Sequence, residues 1–370
     1  MQPRAGYLFH PIIDFLCLGG LSLVVLPLLL ALPPMDGLYA QVVTVSLILN
    51  YVLNQAHFAH SYQIFYSNFG KRSFGQEYGP LLRARYVLAG IIVPAGMIVF
   101  FVVSIATGDA TMLAYGANIM LLLVGWHYVK QGYGMIIVDS VLKRRFFTQS
   151  EKKILLLNAY ACWILYWILL NWMFFEHNLW GLTYYTFAIP TALVYVAAGI
   201  ATITTVTMIY MLFNKCLSKK NSLPFNGVVA YFATLYAWVL IGFLNPLLLL
   251  MVPAFHALQY LAVVWRYQLN LDRAGPDAAE KPNLKLLARY VPSKALARFL
   301  GFAASGFVLG YIGFHGAPML LSSVVSYDQE IFGSALVFFV FWTFINVHHY
   351  FLDNVIWRRG NPDIQKHLFS

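Results

Sequence analysis

Read as hydrophobic and polar positions, the chain is a succession of long apolar runs broken by short polar connections. Most runs are about 20 residues, long enough to cross the hydrocarbon layer of a bilayer as a helix. The pattern predicts ten such spans, over 11–32, 38–65, 86–106, 112–138, 153–174, 187–213, 227–244, 247–268, 299–316 and 331–356. The seventh and eighth are separated only by Asn245-Pro246, a tight turn whose proline suits the first helical position. No internal repeat or low-complexity tract interrupts the series. The predicted fold class is all-α, a polytopic membrane helix bundle forming one transmembrane domain over 1–370. The first run has the outline of a signal peptide, but its length and Asp14 near its start favour a membrane helix. The longest polar connection, 269–298, is expected to be a cytoplasmic loop with a short amphipathic surface helix in KLLARYVPSKALARF.

Composition agrees: 60% of residues are hydrophobic and 10% charged, against about 25% charged in a soluble domain. The net charge of +10 matters through its placement. With a cytoplasmic N-terminus, the inner segments are 1–10, 66–85, 139–152, 214–226, 269–298 and 357–370. These and the adjoining helix ends hold all 24 Lys and Arg residues. Apart from Lys153 at the very start of its span, only Lys130 and Arg266 fall within spans, both towards that end. The opposite loops (PPMDG, GDAT, FEHNLWGLTYY, NP, GAPMLLSSVVSYDQE) contain no basic residue. The positive-inside rule then places both termini in the cytoplasm, and a bacterial inner membrane is the expected location. Basic residues spread over short loops do not form a nucleic-acid footprint. Cys17, Cys162 and Cys216 are too scattered for a disulfide framework or a CxxC metal clip.

Six of the ten histidines lie inside spans: His57 and His60 in NQAHFAHSYQ, His127 in GWHYVKQGYG, His256 in PAFHALQY, and His348 and His349 in INVHHYFLDN. Each is roughly 10–20 Å from the basic end of its helix at 1.5 Å per residue. They occupy the second, fourth, eighth and tenth spans, which run in the same direction. Ionisable groups at this depth are costly and point to function. A shared depth on four helices therefore predicts a convergent polar site. His57 and His60, three residues apart, are expected to project from one face. Partners recur three or four residues on: Gln131 after His127, Gln259 and Tyr260 after His256, Asp353 after His349. Such groups orient imidazoles around a metal.

Imidazole with carboxylate suits iron, copper, zinc or manganese. Six histidines and an aspartate exceed one mononuclear site, so two ions, with iron favoured, are expected. The ligands would be His57, His60, His127, His256, His348, His349 and Asp353. Asn54, Gln131, Gln259 and Tyr260 would support them, and Lys130 and Arg266 would snorkel or hold a substrate headgroup. In architecture the chain resembles the histidine-cluster membrane hydroxylases and desaturases. Those families carry HxxxH and HxxHH boxes, whereas this chain has HxxH, isolated His127 and His256, and HHxxxD. The resemblance implies a metal-dependent oxidoreductase, a di-iron-type oxygenase, hydroxylase or desaturase acting on a hydrophobic or lipid-like substrate. Its electrons would come from an external donor. Two alternatives use the same residues. One is a haem protein, since HALQY with a later HH pair resembles the haem–copper oxidases, which carry HPEVY. The other is a metal-ion or proton-coupled transporter.

Overall fold

The structure, a computed structural model, describes residues 6–32, 37–173, 176–179, 182–217, 223–274, 294–358 and 360–369. Among these, ten helices are long and apolar enough to cross a membrane. They are α1 (Pro11–Ala31), α2 (Leu38–Tyr66), α3 (Pro80–Ala106), α4 (Ala110–Leu142), α5 (Gln149–Met173), α6 (Thr191–Leu217), α7 (Phe225–Leu244), α8 (Pro246–Asp272), α9 (Ala297–Val324) and α10 (Leu336–Ile356). This marks the chain as an integral multi-pass membrane protein. The surface helix expected near 285–299 lies largely outside the described residues.

The helix ends follow local chemistry. At α5, Thr148 Oγ1 accepts from the Glu151 amide at 3.2 Å while Glu151 Oε2 accepts from the Thr148 amide at 2.7 Å. This reciprocal capping box satisfies two otherwise orphaned donors. Asn245 Oδ1 accepts from the Leu247 amide at 3.1 Å ahead of Pro246, so the predicted turn between α7 and α8 is a capped helix start. The last span begins at Leu336 rather than 331. Gln329–Phe332 forms a separate short helix, closed by Gly333 at φ 70, a backbone angle that glycine adopts without strain. The all-α expectation holds for the spans, with one short hairpin added in a connection. In the connection between α5 and α6, β1 (Glu176–Leu179) pairs antiparallel with β2 (Leu182–Tyr185), Glu176 opposite Tyr185.

Two helices hold the centre. Of the most apolar stretch of each, 72% is buried in α8 and 56% in α10, against 11% in α9. α10 packs on α2 and α4, and α8 on α2, α9 and α4, so the helices bearing the six histidines adjoin. Outward faces stay apolar, as at Ile98, Val102, Ile203 and Leu320, which suits hydrocarbon. Five spans contain a π-helical turn: Leu16–Gly20, Asn50–Asn54, Leu88–Ile92, Ala233–Ala237 and Ile312–Gly316. Such turns cluster at functional sites because they re-aim side chains and release carbonyls from the helix ladder.

Candidate metal centre

The site starts at the π-turn of α2. Its last residue, Asn54, offers a backbone carbonyl that accepts from His57 Nδ1 at 3.0 Å. A carbonyl cannot donate, so the His57 proton is on Nδ1 and the Nε2 lone pair faces the bundle centre. There it meets His349 Nε2 of α10 at 3.0 Å, and His349 Nε2 stands 3.3 Å from His127 Nε2 of α4. All three side chains are buried, and their ligand atoms lie within 4.8 Å of one another.

Asp353, one turn beyond His349, closes the group. Its Oδ1 lies 2.8 Å from Ser61 Oγ and 3.0 Å from Tyr260 Oη, either of which can donate to it, and the two hydroxyl oxygens lie against each other. Its Oδ2 points at the imidazoles, 3.4 Å from His349 Nε2 and 4.0 Å from His127 Nε2. One carboxylate oxygen is thus tethered and the other is held towards His349 and His127.

Proton counting shows what this arrangement is fit for. With His57 protonated on Nδ1, hydrogen bonding to it requires the proton of His349 on Nε2. That single proton would face the lone pair of His57, the nitrogen of His127 and the Asp353 carboxylate, while His349 Nδ1, buried and without a hydrogen-bond partner, would be a stranded acceptor. Buried polar groups left in this state cost about 1–3 kcal/mol each. A metal cation would engage the three imidazole nitrogens at once, with the Asp353 carboxylate beside two of them. Donors bound at about 2.0–2.1 Å lie about 3.0 Å apart in octahedral and about 3.4 Å apart in tetrahedral geometry, bracketing the two observed nitrogen separations. The three imidazoles could hold a metal ion.

The remaining predicted ligands have other positions. His256 is buried beside the three, its ring 4.9 Å from that of His127 and 5.3 Å from that of His57. It lies flat against Tyr128 with centroids 3.9 Å apart, and neither of its nitrogens has a hydrogen-bond partner. It flanks the centre. His60 is turned away: Nδ1 donates to Gln63 Oε1 at 2.6 Å and the ring stacks on Phe302 of α9 at 4.3 Å. A three-residue step rotates the side chain by about 60° from a shared face, enough to exchange α10 for α9 as neighbour. His348 is committed as well. Its Nε2 donates to the Ala89 carbonyl in the π-turn of α3 and its Nδ1 accepts from Tyr62 Oη, both at 3.0 Å. Two satisfied nitrogens leave no lone pair for a ligand. Of the six histidines expected at one site, the structure brings His57, His127 and His349 together.

The supporting residues divide similarly. Asn54 acts through its carbonyl, and its amide group donates to Asn50 Oδ1 at 2.7 Å. Tyr260 holds Asp353. Gln131 bonds the His256 carbonyl at 2.8 Å and Gln259 Oε1 at 3.0 Å, and Gln259 bonds the Leu18 carbonyl at 2.7 Å. These glutamines stitch α4, α8 and α1 together and touch no imidazole nitrogen. Lys130 sits over Tyr133 and Tyr160, its Nζ 5.7 and 5.9 Å from their ring centres, and Arg266 is buried in α8. Ser61 was not anticipated. Its signal was present, since it follows His57 by four residues on the same face, as Asp353 follows His349. His57 Nε2 and His349 Nε2 are 3.0 Å apart, closer than the about 4 Å that two axial ligands of one haem need.

Fold and site together define a multi-pass helical membrane protein with a buried cluster of three histidines and an aspartate at its centre. No family model, curated protein or solved structure matches the chain.

Proposed function

We propose that the protein is a membrane-embedded, metal-dependent oxidoreductase, with one transition metal ion bound by His57, His127, His349 and Asp353. The observation that carries this is the convergence of three buried imidazole nitrogens, separated by 3.0 and 3.3 Å, beside a tethered carboxylate whose free oxygen lies 3.4 Å from His349 and 4.0 Å from His127. Histidine with carboxylate is a donor set used by non-haem iron, so iron is the favoured metal, supplying one-electron and oxygen chemistry when bound. The chain's own residues set the conditions for it. Asn54 and Ser61 with Tyr260 fix the His57 tautomer and the Asp353 rotamer. Tyr128, Tyr350 and Phe58 pack rings on His256, His127 and His349 respectively, excluding water. A centre enclosed by apolar helices suits a hydrophobic or lipid-like substrate arriving through the bilayer. In this reading the basic face is cytoplasmic, in a bacterial inner membrane, and a separate protein or quinol donates electrons there.

The test is elemental analysis with an optical spectrum on detergent-purified protein. About one iron per chain and no Soret band are expected. His57→Ala and His349→Ala should each lower the metal below about 0.2 per chain, whereas His60→Ala and His348→Ala should retain it. A Soret band, or wild-type protein with under about 0.2 metal per chain after reconstitution, would overturn the reading. Metal that crosses reconstituted vesicles would replace it with transport.

A further inference from the structure

The headgroup role expected of Lys130 is taken up by its aromatic neighbours, yet the basic face offers another pair of cations. A cleft of about 600 Å³ opens between the start of α3 and the end of α10, lined among others by Tyr78, Leu81, Leu82, Arg85 and Arg358. Arg85 comes from α3 and Arg358 from the stretch just past the end of α10, and neither has a carboxylate partner among the described residues. Arg358 is oriented by its Nε, which donates to the Asn354 carbonyl at 3.2 Å, leaving the rest of the guanidinium fork towards the cleft. Burial and the neighbouring Arg85 charge both press Arg358 below its ordinary pKa, as expected of two cations facing each other with no anion between.

The nearby carboxylates do not fill that gap. Asp363 is already held by Arg72, at 2.8 Å, and by Tyr78 Oη, at 2.9 Å. Glu77, which also lines the cleft, is exposed at its rim. Below the cleft the outward side of α3 is apolar, with Leu88, Ile91 and Ile92 each more than two-fifths exposed. The cleft therefore joins a paired cationic head position to a lipid-facing hydrophobic track.

We propose that this cleft binds the phosphate head of a single- or double-chain amphiphile, with Arg85 and Arg358 gripping the phosphate and the chain lying along α3. Arginine is suited to this because its planar fork meets two phosphate oxygens at once. Arg358 follows Asp353 by five residues, just past the end of α10, so the held head lies beyond the end of the helix that carries the Asp353 carboxylate. As the place where that centre's substrate is held, the site rests on the oxidoreductase reading; as a binding site it stands alone.

The test measures binding of dodecyl phosphate, inorganic phosphate and dodecanol to the full-length protein in a neutral maltoside detergent, with metal content determined in parallel. Dodecyl phosphate should bind at least about ten-fold more tightly than either fragment. Arg85→Gln and Arg358→Gln should each weaken it roughly ten-fold, and Arg358→Lys by less, with metal content unchanged. Arg358→Lys, which keeps the charge, serves if a glutamine variant does not fold. Equal dodecyl phosphate binding by wild type and the Arg85→Gln/Arg358→Gln double variant would overturn the proposal. So would inorganic phosphate binding as tightly as dodecyl phosphate, which would mean a plain anion site, or dodecanol doing so, which would mean an unspecific apolar one. Loss of metal binding with dodecyl phosphate binding intact would sink the oxidoreductase reading and spare the cleft.

Discussion

At the residue scale, adjacent His348 and His349 show how side chains of the same type separate into packing and ligation. Both are buried, yet His348 has a partner for each nitrogen and His349 has a stranded Nδ1. The sequence places the two about 100° apart on the helix, and only the neighbours decide which direction is the centre. The same holds for His57 and His60. Depth along the helix was legible in the sequence, because it is set by counting residues. Azimuth was not, because the π-turn at Asn50–Asn54 adds a residue to its turn without a compositional mark. Asp353 gives the sharpest residue-level prediction. Asp353→Asn keeps an oxygen for Ser61 and Tyr260 but presents an amide to the imidazoles, so metal affinity should fall at least 10–100-fold while the fold survives. Tyr260→Phe removes one of the two hydroxyls that tether the carboxylate and should weaken metal binding roughly ten-fold, with a stability cost of about 1 kcal/mol. Metal titration of each variant, read by circular dichroism for folding, checks both.

At the element scale, the ten spans were readable because each is a long apolar run, and charge placement separates their two ends. The hairpin between α5 and α6 was not, since two four-residue strands in a connecting segment leave too short a pattern to count. How the helices pack depends on a few glycines. Gly310 of α9 faces α2 so closely that a Cβ there would lie 2.7 Å from the Gln55 carbonyl oxygen, a backbone atom that cannot swing aside, whereas a Cβ at Gly316 on the same helix meets nothing within 4 Å. Gly310→Ala should therefore push α9 off α2 and destabilise by about 1–3 kcal/mol, while Gly316→Ala should be close to neutral. Thermal unfolding of the two variants in the same detergent tests the difference, and equal midpoints would refute it.

At the scale of the whole molecule, the proposed ion ties α2, α4 and α10 at one point, so its removal should loosen the bundle rather than merely silence it. An ion at 100 times its dissociation constant adds about 2.7 kcal/mol to the stability of the state that binds it. Chelation should lower the melting temperature of wild-type protein and of His348→Ala, and leave His349→Ala unmoved. Hydrogen exchange should place the loosening on these three helices. A chelator effect that persists in His349→Ala would show that the stabilising ion sits elsewhere.

The placement of the donors along the chain also orders events in the protein's making. His57 and His127 lie on the second and fourth spans, but His349 and Asp353 arrive only with the tenth. While the ribosome is still synthesising the chain, a nascent bundle holds two isolated imidazoles, too few to retain an ion against cellular chelators. On the proposed reading, metallation would wait until α10 has inserted, and occupancy of the centre would report on completed membrane assembly.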